Sequence, residues 1–68
     1  MKFKMTVDIN MDNAAFEEHP YEAERIVLHY VKMAIFPNTT DIDWYEEKAL
    51  FDANGNKVGY ALMEVTDA

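Results

Sequence analysis

One stretch constrains this chain more than any other. Pro20 to Phe36, PYEAERIVLHYVKMAIF, is long enough and periodic enough to be a helix. Its apolar positions Ala23, Ile26, Val27, Tyr30, Met33 and Ala34 recur at i, i+3, i+4 and i+7, which places them on one face. Pro20 suits the first helical turn, where its missing N–H costs nothing. Glu22 and Glu24 lie near the positive end of the helix dipole. Pro37 ends the segment. Leu28 and Ile35 project away from the apolar face and Val31 lies at its edge, so these three are candidates for self-association.

The remaining segments must cover that helical face. Phe3, Met5, Val7, Ile9 and Met11 alternate with polar residues over positions 2 to 11, the pattern of a strand with one buried and one wet face. Asp12 and Asn13 end it, and Asn13 is placed to cap a short first helical turn holding Phe16. Trp44 to Phe51 reads as a second strand and Val58 to Val65 as a third. Asn54-Gly55 between them is a strong hairpin signal, because both residues tolerate positive φ. A right-handed crossover makes the first two strands parallel, and the hairpin makes the third antiparallel to the second. Inserting the third strand between them makes every neighbouring pair antiparallel.

The expected fold is therefore a single α+β domain over residues 1–68. Its order is β-α-β-β, with a three-stranded antiparallel sheet in the order 1-3-2 and one helix packed on one face. In a two-residue-turn register, Ala49, Phe51, Val58, Tyr60 and Leu62 share one hairpin face. Trp44, Leu50, Ala61, Met63 and Val65 share the other. One helix covers one face, so the second apolar face needs a partner or a second copy.

Composition narrows the function classes. At 68 residues without cysteine, neither a disulfide framework nor a thiolate metal site supports the small core, which makes association a natural expectation. No apolar run approaches the roughly 20 residues of a membrane span. The alternating N-terminus lacks a signal-peptide core, so a cytoplasmic location is expected. Six Lys and Arg against 13 Asp and Glu give a formal charge of −7. That charge opposes direct nucleic-acid binding and suits a partner with a basic surface.

The chemistry of an enzyme is hard to find. There is no Ser or Cys to act as a nucleophile, and only His19 and His29 as imidazoles. Two glycines do not make a phosphate loop. Asp52, Asn54 and Asn56 resemble the start of a calcium loop, but the segment is short and lacks the distal bidentate glutamate. No catalytic residue, metal or cofactor is expected. The usable signal is acidic. Asp12, Glu17, Glu18, Glu22 and Glu24 form one cluster, and Asp41, Asp43, Glu46 and Glu47 a second. Trp44 and Tyr45 beside the second have the character of aromatic interface anchors.

Three motifs carry a resemblance. Asp12-Asn13-Ala14-Ala15-Phe16, the helix start Glu22-Ala23-Glu24-Arg25-Ile26, and Asp52-Ala53-Asn54-Gly55-Asn56-Lys57-Val58-Gly59 together resemble small phage- and prophage-encoded accessory proteins. The motifs are structural, and the PNTTDIDWYEEK segment before the hairpin departs from the usual pattern. The resemblance implies an anti-defence protein of the anti-CRISPR or anti-restriction kind, acting in an infected or lysogenic bacterial host. Its acidic clusters would bind a host defence protein, imitating nucleic acid in a basic groove. The alternative is a structural or regulatory phage module whose partner is itself.

Overall fold

The computed structural model describes residues 1–38, 40 and 43–67. Three strands and two helices follow in the order β1 (Lys2–Ile9), α1 (Ala14–Glu18), α2 (Glu22–Met33), β2 (Tyr45–Phe51) and β3 (Lys57–Thr66). The sheet order is β1-β3-β2, and both pairings are antiparallel. The α+β architecture expected from the sequence is the one observed, with a second, five-residue helix added.

The helix is shorter at both ends than its pattern suggests. Its N-cap is Tyr21, so Pro20 sits just outside the helix rather than in its first turn. At the other end Ala34 is already extended, at φ −70° and ψ 143°. Phe36 precedes a proline and is disfavoured in the helical region. It packs its ring against Phe3 instead, with centroids 5.8 Å apart. Ile35 therefore lies beyond the end of α2. Glu22 and Glu24 in the first turn and Lys32 in the last complement the helix dipole.

Met63, on the central strand, is fully buried and shares a core cluster with Ile26 and Tyr30 of α2, Leu50 of β2, and Val58 and Ala61. Met5, Ile9, Phe16, Ala34 and Trp44 close around it. The Tyr30 hydroxyl is buried with no hydrogen-bond partner among the described residues, and burial above all pushes its pKa up. The helix leans toward β2. Phe3 and Val7 on the β1 side therefore stay 46% and 36% exposed, although they share the helix-facing side of the sheet with Met5 and Ile9. Met11, read from the sequence as part of that face, lies beyond the strand and is exposed.

The hairpin corrects one assignment. The Gly55 N–H donates to the Asp52 carbonyl at 3.0 Å, and the Asp52 N–H to the Asn56 carbonyl at 2.9 Å. Gly55 has φ +82°. This is a turn of three residues, longer than the expected two-residue turn. Leu50 pairs with Gly59 but Phe51 pairs with Lys57, so Val58 is the extra residue of a bulge. The bulge reverses the parity of Val58, and its side chain enters the core with Leu50 and Ala61. Ala49, Phe51, Tyr60 and Leu62 remain on the face that no helix covers.

Candidate interaction surface

Strand pairing fixes where each charged residue stands. The start of β1, the start of β2 and the end of β3 meet at one end of the sheet. The hairpin, the end of β1 and the helix α1 meet at the other, joined by the Asn13 side-chain amide donating to the Asp52 carboxylate at 3.1 Å. The two acidic clusters expected from the sequence thus lie at opposite ends of the sheet.

At the hairpin end, Asp12, Glu17, Glu18 and Glu24 are exposed. No described lysine or arginine engages their carboxylates. Glu22 was expected to join them and does not. It is only 2% exposed. Its carboxylate accepts two hydrogen bonds from Arg25, Nε at 2.7 Å and Nη2 at 2.9 Å, and one from the Ala53 N–H at 2.6 Å. A helix-start glutamate is therefore spent on tying α2 to the hairpin turn, and no partner can reach it.

Asp52 closes the same knot. It is buried, and its Oδ1 accepts the N–H groups of Asn54 and Asn56 at 2.9 Å each. Its Oδ2 accepts the side-chain amides of Asn13 and, at 3.4 Å, Asn56. Asn13 makes no side-chain cap on α1; its amide serves this turn instead. The Asp52 oxygens face N–H donors, the opposite of what a calcium ion needs.

These contacts shift both acids in the same direction. The hydrogen bond from Arg25 above all, aided by the Ala53 N–H and opposed by burial, holds the Glu22 carboxyl below the usual carboxylate range. The Asn56 N–H leads in doing the same for Asp52, again against burial. A folded pKa below the unfolded one contributes stability above the unfolded value and loses it as pH falls through the folded value. Thermal unfolding is therefore expected to be nearly independent of pH between about pH 5 and 9 and to fall steeply below about pH 4. The double variant Glu22→Gln, Asp52→Asn should melt lower at pH 7 and show a shallower acid slope. Equal slopes for the two proteins in melts from neutral to acid pH would remove these residues from the explanation.

At the other end the second cluster is divided. Asp41 lies outside the described residues. Asp43 is exposed, in the left-handed region at φ 60°. Glu46 pairs with Met63 on the helix side, half-buried, with Lys48 Nζ at 3.5 Å. Glu47 points to the open face and accepts the Tyr45 hydroxyl at 2.8 Å, which holds that phenol above its usual pKa. Strand alternation thus separates Glu46 from Glu47. Trp44 packs partly buried against the core, and Tyr45 beside it is 61% exposed. Among the candidates for self-association, Leu28 and Val31 are exposed on α2, 60% and 39%, and Ile35 is exposed beyond its end.

The largest feature that the charge pattern missed is the open sheet face. Tyr60 and Phe51 are exposed there beside Leu62, Ala49 and Tyr45. The signal was the surplus of apolar residues in the hairpin, once the parity of Val58 is set right.

No group of His, Asp or Glu among the described residues forms a metal-binding set. No described helix is long and apolar enough to cross a membrane. Comparison with known protein families, curated proteins and solved structures finds no match.

Proposed function

We propose that this chain is a small acidic binding protein, without catalysis of its own, that engages and inhibits a host defence complex of the anti-CRISPR or anti-restriction kind. The observation that carries the reading is the hairpin end. Four carboxylates, Asp12, Glu17, Glu18 and Glu24, stand exposed and unpaired by any described cation at a hydrogen-bonded junction of α1, α2 and the hairpin. The knot of Glu22, Arg25 and Asp52 fixes that junction, so a basic groove meets pre-ordered charge. The resemblance to phage accessory proteins selects the partner class.

The test is a binding titration against purified defence complexes of the host, at low and high salt. Affinity should fall by about tenfold or more as exposed charge is screened. The variant with Asp12→Asn, Glu17→Gln, Glu18→Gln and Glu24→Gln should bind weakly at either salt. Undiminished binding by that variant would end the electrostatic reading. The exposure of Leu28, Val31 and Ile35 favours a second reading, a self-associating module, which a monomer at all concentrations would exclude.

A further inference from the structure

Among the described residues, β1 pairs only with β3, which leaves its outer edge open. The Asn10 N–H donates inward to the Val58 carbonyl at 2.8 Å, in register with the strand. Backbone groups alternate sides along a strand. The N–H and C=O groups of Lys4, Thr6 and Asp8 therefore also point toward β3. Those of Phe3, Met5, Val7 and Ile9 point outward. The register with β3 is unbroken from Lys2 to Ile9, and the strand contains no proline and no bulge. Natural sheets normally blunt such an edge.

We propose that two copies of this chain join through antiparallel pairing of β1 with β1, about a two-fold axis at Thr6, into one six-stranded sheet. The strand reads Lys2-Phe3-Lys4-Met5-Thr6-Val7-Asp8-Ile9. Rotation about Thr6 sets Met5 opposite Val7 of the second copy and Phe3 opposite its Ile9. This is the one register that pairs all four outward-facing residues with one another. It also sets Lys4 opposite Asp8 on the open face, twice, in positions where side chains approach most closely.

Two further observations support a second copy as the occupant. Phe3 and Val7 remain 46% and 36% exposed because α2 leans away from β1. Pairing lays them against apolar residues of the other strand. The antiparallel arrangement also sends the two acidic hairpin ends to opposite extremes of the dimer. Each lysine-bearing β1 start then lies beside the acidic hairpin end of the other copy, and Glu46 and Glu47 of β2 stand two strands from the seam, which limits repulsion between two chains of formal charge −7. A lysine on an edge strand discourages pairing when nothing acidic faces it. Here the two-fold axis supplies the aspartate. This surface is distinct from the hairpin-end carboxylates and from Leu28 and Val31, and the inference stands if the electrostatic reading above fails.

Sedimentation equilibrium of the full chain over about 10 to 500 µM tests it. A dimer is expected. Lys4→Asp and Asp8→Lys should each weaken it by about tenfold or more, and the double swap K4D/D8K should recover it to within about threefold of the parent. Hydrogen exchange gives a second readout that tolerates a loss of stability in the single variants. The amides of Phe3, Met5, Val7 and Ile9 should gain protection as concentration rises. A monomer throughout the range, a double swap that recovers nothing, or a dimer in which those four amides stay unprotected would each overturn the proposal.

Discussion

Gly59→Ala is expected to abolish the native sheet or come close to it. Gly59 lies in β3, between Ile9 of β1 and Leu50 of β2. A Cβ there would fall on the Asp8 carbonyl oxygen, with the Asp8 carbonyl carbon at 2.9 Å and the Ile9 Cα at 3.0 Å. All three are backbone atoms, so no side chain can swing aside. The edge strand β1 would have to move out and give up its pairing beside the bulge. A forced shift of this kind costs about 3 kcal/mol or more. A domain of this length has about 3–10 kcal/mol in all. Gly55→Ala is the informative control. Nothing lies within 4 Å of its absent Cβ, but its φ is +82°. That substitution should cost only the left-handed strain of about 1–2 kcal/mol. Urea unfolding followed by circular dichroism compares the two. A smaller midpoint shift for Gly59→Ala than for Gly55→Ala would mean β1 does not approach β3 this closely.

That contrast shows what the sequence displayed and what it hid. The period-two alternation of β1, the helical spacing through Tyr30 and the Asn54-Gly55 signal were enough to set the strand order. Each is a local pattern repeated over several residues. The bulge at Val58 leaves no such pattern, because one extra residue changes parity without changing composition. The knot was hidden for another reason. Glu22 sits where the helix dipole favours an acid, and that local fit gave no sign that the Ala53 N–H, 31 residues away, would come within 2.6 Å of its carboxylate. Glu46 and Glu47 were read as parts of one cluster, although adjacent residues of a strand face opposite ways and alternation alone divides them. The four exposed carboxylates at the hairpin end were also readable from charge alone, whereas their separation from the second cluster required the sheet order.

Met63→Ala should produce the largest loss from a side chain alone. Met63 is the largest fully buried side chain, on the central strand, opposite Met5 on one side and Glu46 on the other. Neighbouring strands hold it on both flanks and α2 lies above it, so the site cannot collapse to fill the space left. Truncation of such a residue costs about 2–5 kcal/mol. Against a total of about 3–10 kcal/mol, the urea midpoint should fall by roughly half or the protein should unfold outright. Met63→Leu keeps the volume and should cost less than about 1.5 kcal/mol. Leu28→Ala, on the exposed side of α2, should fall within about 0.5 kcal/mol of the parent at low concentration. The Leu28 result carries a second meaning. If α2 is a self-association surface, its cost grows with protein concentration, because the dimer adds stability by mass action. If β1 carries the dimer, the Leu28→Ala cost stays flat while the Lys4→Asp cost grows. A Met63→Ala midpoint no lower than that of Leu28→Ala would show that the helix does not close over the centre of the sheet.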